Sequence, residues 1–283
     1  MGSRVRIRRL TILVCVSGLA VACGNENQRP EAASTDKISR AVTGASSQSL
    51  PWHVPTVESE GACSGTIYKR QWVITAAHCF PASWDNNSDG FISSTEIANY
   101  STNGYLRIDG GANSSGSQTA FNADGIYKPS GTAWGQASGN NDIALVHIPS
   151  PGFYPEQISG YGSYYHTSNS VPVLNLDQWT TTSLEPTSWI DSYGWATATY
   201  LGWATGQVDE SYTTWYQVEP LNGAGIACQG DSGGPGFWWG GNVWGSGDVY
   251  YQVGVISTGN CNNVSGHVSI YNNKSWIESI AGS

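Results

Sequence analysis

Short apolar runs broken by glycine, proline, asparagine and serine recur along the chain, and no long segment sustains the apolar period of a helix. Gln71–Thr75 and Ile143–Ile148 read as strands, Pro51–Thr75 as a whole predicts two or three, and Tyr105–Ile126 predicts more between polar turns. Pro149–Thr180, rich in Tyr, Ser and Gly, reads as a connection between two strand-rich halves. Thirty-five glycines, with much Trp, Tyr, Thr and Val, strengthen an all-β expectation, and 283 residues suffice for one domain with a sizeable core.

The apolar run Leu10–Val21 follows Arg4, Arg6, Arg8 and Arg9 and is too short to span a bilayer, so residues 1–22 are predicted to be a targeting segment. Ala20-Val21-Ala22-Cys23 has two readings. It fits a small-residue cleavage site, and it resembles a bacterial lipobox in which Cys23 becomes the lipidated first residue and attaches the protein to a membrane. An unmodified Cys23 thiol is the third alternative. Residues 23–40 lack aromatics and are predicted to be a disordered propeptide or linker, and no later stretch reads as a membrane helix. Losing the four arginines lowers the formal charge from −9 by four, to −13. So acidic a chain argues against a nucleic-acid partner.

Candidate chemistry centres on Gly230-Asp231-Ser232-Gly233-Gly234-Pro235. Acyl transfer needs an exposed hydroxyl beside backbone N–H groups that receive a developing oxyanion, here those of Gly230 and Ser232, and glycine permits the tight turn. A base and an orienting acid precede it: His78 in Thr75–Cys79, and Asp142 at the edge of the Ile143–Ile148 strand. The alternative for Asp142 is a turn residue after Asn140-Asn141. His53, His147 and His166 read as surface or strand residues.

Asp85–Glu96 fits D-x-[DN]-x-[DN]-G-x5-E. Asp85, Asn87 and Asp89 place oxygens round one centre, Gly90 turns sharply, Phe91 offers its carbonyl, Ser93 a hydroxyl or water, and Glu96 closes the site. Hard oxygen donors point to a structural Ca2+. Ile92 fits the inward-packing eighth position, whereas Phe80–Trp84 is too short and proline-broken for an entering helix. The alternative is a polar loop matching by composition alone.

On the histidine, aspartate and serine motifs, in that order, the chain resembles secreted serine peptidases of the trypsin/chymotrypsin family. The resemblance covers residues 41–283 and implies two six-stranded antiparallel Greek-key barrels, the active site between them, and a short closing helix at Ser275–Ile280. It implies a serine endopeptidase, acting on protein or peptide substrates, in which Ser232 attacks, His78 moves the proton and Asp142 orients His78. It pairs Cys63 with Cys79 and Cys228 with Cys261, leaving Cys23 odd once Cys15 departs with the targeting segment. Cleavage after Arg40 by an activating protease would free the Ala41 ammonium to pair with Asp231; a linker arginine in a constitutively active enzyme is the alternative. With lipid on Cys23, that cut would also release the enzyme from the cell envelope; otherwise it is secreted. Ile226 and Ala227 would form the base of the substrate pocket, with Ser257, Gly259 and Gly266 its walls, predicting cleavage after large apolar or aromatic residues. His267 complicates this, since some bacterial relatives accept glutamate through a pocket histidine. Gly61–Gly65, Ile126–Pro129 and Tyr193-Gly194-Trp195 resemble family strands, but Trp195–Ser232 is short and lacks a further disulfide. The competing function is a calcium-dependent surface-binding lipoprotein on an inactive protease scaffold.

Overall fold

A computed structural model describes residues 56–59, 62–69, 71–112, 118–137, 141–150, 152, 175–176, 188–194, 202–221, 225–243 and 247–282. The targeting segment, Cys23, Arg40, Ala41, Gly61 and Trp195 lie outside the described residues.

The first half contributes β1 (Thr56–Glu58), β2 (Ala62–Ser64), β3 (Thr66–Tyr68), β4 (Trp72–Thr75), β5 (Phe91–Ser93), helix α1 (Ser94–Tyr100), β6 (Arg107–Ala112), β7 (Gln118–Asn122), β8 (Gly125–Tyr127) and β9 (Ala144–His147). They form two antiparallel sheets, ordered β2-β1-β6-β7 and β3-β4-β9-β8-β5. Gly65 joins β2 to β3 at a bend where any Cβ would come within 2.5 Å of Val73, and Ala123-Asp124 joins β7 to β8. Counting each bent pair once gives six barrel strands, with β5 added from the Asp85–Glu96 stretch.

The second half contains β10 (Asn175–Leu176), β11 (Trp189–Gly194), β12 (Gly202–Ser211), β13 (Trp215–Pro220), β14 (Pro235–Val243), β15 (Gly247–Gly259), β16 (Ser265–Ser269) and helix α2 (Ile270–Ala281). The order β15-β14-β11-β12-β13-β16, with β16 pairing back onto β15, closes six antiparallel strands into a barrel, and β10 joins parallel to β15. Burial alternates along β13, where Tyr216 and Val218 are buried and Trp215, Gln217 and Glu219 are not. Ile190, Val208, Tyr216, Val218 and Val253 form this barrel's interior.

A larger cluster runs from the first barrel (Val57, Ile74, Ile108, Leu145) to Tyr193, Phe237, Val255 and Val268, on to Ile270 and Ile277 of α2. Each fully buried aliphatic side chain contributes about 1.5–3 kcal/mol over its exposed state, so this shared core holds the two barrels at a fixed seam. Helix α2 starts five residues before the Ser275 of the sequence expectation, and buries Ile270, Asn273 and Ile277 at helical spacing. The Lys69 ammonium donates to the carbonyls of Ala281 (3.3 Å) and Gly282, satisfying the end of that helix.

Candidate active site

Strand β4 ends in a single 3-10 turn, Ala77–Cys79, which carries His78 out of the sheet while Ala77 and Cys79 stay buried. Asp142 stands just before β9, fully buried. Because β4 and β9 pair with Thr75 opposite Ala144, the histidine and the aspartate meet at the same end of the sheet. His78 Nδ1 lies 2.6 Å from Asp142 Oδ2, and the His78 backbone N–H donates to Oδ1 at 2.8 Å. The Ser257 hydroxyl donates to Oδ2 at 2.5 Å. Three donors compensate the burial of this carboxylate. In the neutral imidazole, donation from Nδ1 to this carboxylate leaves Nε2 as the acceptor nitrogen.

The Gly230–Pro235 loop is wedged between barrels. Gly233 has φ +83°, and a Cβ there would overlap Thr75 Oγ1 and the Ser64 carbonyl on the first barrel. A Cβ on Gly234 would overlap the Tyr193 carbonyl on the second. Ser232 is partly exposed, and its carbonyl accepts from Ser64 N–H at 2.7 Å. The Ser64 hydroxyl donates to the Gly230 carbonyl at 3.0 Å.

These contacts close a ring. Gly233 N–H donates to the Ile256 carbonyl at 2.7 Å, the next residue, Ser257, holds Asp142, and Asp142 holds His78. Cys79 follows His78 and is disulfide-bonded to Cys63, whose neighbour Ser64 holds Ser232. The Cys63 and Cys79 sulfurs lie within 4.8 Å of a His78 ring nitrogen, but both are consumed by the disulfide and cannot act as thiolate ligands.

Asp231 is fully buried beneath this loop. Its Oδ2 accepts from Cys228 N–H at 2.8 Å. Among the described residues Oδ1 has no hydrogen-bond partner, and it faces Gly194 so closely that any Cβ there would overlap it. Burial pushes this carboxyl up to about 7. Cys228 is disulfide-bonded to Cys261.

Of the expected pocket residues, Ile226 and Ala227 are buried. Ser257 turns its hydroxyl to Asp142, so only its backbone is left for a wall. A Cβ on Gly259 would come within 2.8 Å of the Ala227 carbonyl, so wall and base face each other there. A Cβ on Gly266 would overlap Thr258 Oγ1. His267 is fully buried inside the second barrel, stacked on Tyr216 at 5.2 Å with Nε2 3.0 Å from Ser265 Oγ. Burial lowers its pKa to about 3, keeping the ring neutral.

In the Asp85–Glu96 stretch, Asp85 Oδ1 accepts from Asp89 N–H (3.1 Å), and Oδ2 from Gly90 N–H (3.0 Å) and the Trp134 indole (2.9 Å). Gly90 has φ +85°, Ile92 is fully buried, and β5 pairs with β8. Asn87 Oδ1 accepts from Asp89 N–H and Asp89 Oδ1 from Phe91 N–H. Glu96 occupies the third position of α1 in a capping box with Ser93 and also accepts from Asn86 N–H at 3.1 Å. These bonds, Ser93 N–H foremost, hold its carboxyl below the ordinary range. The oxygen donors fit a hard cation by type and order, although in this state Asp85, Asp89 and Glu96 do not meet within the 4.8 Å spacing that Cys63, His78 and Cys79 do. Helix α1, the Trp134 contact, and the bracing by Ser64 and Ser257 leave little trace in local sequence pattern. Only the capping spacing of Ser93 and Glu96 signals the helix in sequence.

Two all-β barrels thus share a core, with a His–Asp pair and a glycine-walled serine loop at their seam. The trypsin family model matches residues 41–277, and the chain belongs to the trypsin family. That family implies serine endopeptidase activity on protein or peptide substrates.

Proposed function

We propose that the protein is a serine endopeptidase in which Ser232 attacks the scissile carbonyl, His78 takes its proton and returns it to the leaving amine, and Asp142 orients His78. The observation carrying this reading is the ring of contacts from Ser232 through Gly233, Ile256, Ser257, Asp142, His78 and Cys79 back through Ser64. The backbone N–H groups of Gly230 and Ser232 receive the oxyanion. Ile226, Ala227, Gly259 and Gly266 form an apolar-based pocket for a large apolar or aromatic side chain before the scissile bond, and no side chain on Gly259 is compatible with access to it.

Activation follows cleavage after Arg40. The orphaned Asp231 Oδ1 is a buried polar atom that an ammonium would satisfy, and the freed N-terminus of Ala41 supplies one. Residues 1–22 direct export, Cys23 carries a lipid, and the Arg40 cut releases the enzyme from the envelope. Asp85, Asn87, Asp89, Phe91, Ser93 and Glu96 would hold Ca2+, which stiffens the loop and takes no part in hydrolysis.

A soluble form of residues 24–283, exposed to a fluorophosphonate probe before and after limited trypsin, tests the reading. Labelling that requires Ser232 and follows cleavage at Arg40 is expected. Labelling before cleavage would remove the activation step, and absence of labelling from folded, cut protein would remove the peptidase.

A further inference from the structure

Asp142 sits in a turn whose backbone is held as closely as its carboxylate. Asn141, just before it, has φ +56°, a conformation that residues other than glycine rarely adopt. Ile143 N–H donates to the Asn141 carbonyl at 2.8 Å, closing a three-residue turn with Asp142 at its apex. The same carbonyl accepts from the Thr132 hydroxyl at 2.9 Å. Thr132 is buried, and its own N–H donates to the Pro129 carbonyl at 3.2 Å. Backbone in a sparsely populated conformation persists only where its surroundings over-determine it. Thr132 supplies one such hold from outside the turn.

Two residues beyond Thr132, the buried Trp134 ring reaches the other half of the pair. It meets Phe80 edge to face, with centroids 6.0 Å apart and planes 85° apart. Phe80 N–H closes the 3-10 turn that carries His78, donating to the Ala77 carbonyl at 3.2 Å. The Trp134 indole donates to Asp85 Oδ2 at 2.9 Å, and the Lys128 ammonium lies 5.3 Å from the centre of its ring. Asp85 is itself anchored, being buried and accepting from the N–H groups of Asp89 and Gly90. A buried indole N–H that loses its acceptor costs free energy, so the Asp85 bond decides where this ring rests. One carboxylate outside the catalytic pair thus fixes a ring that touches the His78 turn and whose chain neighbour Thr132 holds the Asp142 turn.

We infer that Thr132 and Trp134 are positioning residues for the hydrolysis, holding the Asp142 turn and the His78 turn in register from the Asp85 carboxylate. This rests on the peptidase reading. Neither residue takes part in proton transfer. Both act on the 2.6 Å bond between His78 Nδ1 and Asp142 Oδ2, which a small displacement of either turn misdirects. The His78 N–H and the Ser257 hydroxyl fix the carboxylate, whereas Thr132 fixes the backbone that bears it. The alignment of His78 matters in the transition state and not in substrate binding, so its loss appears in kcat.

The test uses residues 24–283 cut at Arg40, at one fixed Ca2+ concentration, with kcat taken per site titrated by fluorophosphonate. Thr132→Val keeps the shape and removes the hydroxyl, and Trp134→Phe keeps an aromatic ring and removes the N–H. Each lowers kcat about tenfold with KM unchanged, and Thr132→Ser restores it. The double variant loses less than the product of the two single losses, because both act through one turn. The low-field proton resonance of the His78–Asp142 bond shifts in Thr132→Val and returns in Thr132→Ser. Ile277→Val, in helix α2, lowers the melting temperature and keeps kcat, which separates position from stability. Should Trp134→Phe fail to fold, the two Thr132 variants decide alone. Unchanged kcat per titrated site in Thr132→Val, an equal loss in Thr132→Ser, or a loss confined to KM overturns the positioning role alone. A wild type that takes no fluorophosphonate overturns the peptidase reading and this role with it.

Discussion

Asp142 and Gly233 are the two residues whose replacement separates chemistry from architecture. Asp142→Asn retains the size of the side chain but presents an amide N–H to His78 or leaves Nδ1 the wrong partner, so the imidazole loses the tautomer that frees Nε2. A kcat loss of about 10⁴-fold with little change in KM is expected in peptide hydrolysis assays, with thermal stability near wild type. Gly233→Ala acts through shape: its φ of +83° and the overlap with Thr75 Oγ1 and the Ser64 carbonyl leave no relaxed position for a methyl. Gly131 has the same φ of +83° but nothing within 4 Å of a Cβ. Chemical denaturation should therefore show Gly131→Ala costing about 1 kcal/mol and Gly233→Ala several times more, or failing to fold.

At the scale of elements, the Asp85–Glu96 loop joins a strand to a helix through one carboxylate. Glu96 serves α1 as its capping-box residue, and it is also the closing ligand of the proposed calcium site. Glutamine keeps the cap and weakens the ligand. Ca2+ is thus expected to raise the melting temperature of the wild type and not that of Glu96→Gln, whose melting temperature without metal stays close to wild type; scanning fluorimetry against a Mg2+ control checks both. The sequence shows these elements unevenly. The apolar runs at Gln71–Thr75 and Ile143–Ile148 announce β4 and β9, because both are buried on the shared core. Strand β5 and the bond from Trp134 to Asp85 depend on partners 32 or more residues away, a distance at which local pattern is silent. His78, Asp142 and Ser232 were legible because their motifs are local. Ser257 stands where a wall residue is expected, and nothing in a serine on a strand says that its hydroxyl turns to Asp142.

For the whole molecule, two buried groups set opposing pH responses. Asp231 lies near 7 against an ordinary 3.8, so it favours the folded chain when protonated, and that contribution is lost as pH rises from about 4 through 7. His267 lies near 3 against 6.5, so its contribution is present above 6.5 and lost as pH falls toward 3. Each slope reaches about 1.4 kcal/mol per pH unit, and in the uncut chain they largely cancel between pH 4 and 6.5. An ammonium on Asp231 removes the first slope. Protein cut after Arg40 should lose stability on acidification through that window while Arg40→Ala protein stays level. Denaturation of the two forms across pH, together with the cut form of His267→Gln, which should lose most of its acid slope, decides it.

The lysine clasp on α2 has a consequence in time. Helix α2 follows every strand of both barrels in the chain, yet Ile270 and Ile277 complete a core that also contains Val57 and Ile74, and the turn after β3 reaches across to its last carbonyls. A growing chain therefore holds an unfinished first barrel until its closing helix emerges. Contacts of such sequence separation make for slow folding and a long exposure of apolar surface. Were the chain exported as proposed above, that delay would keep it in the extended state that threading through a channel demands.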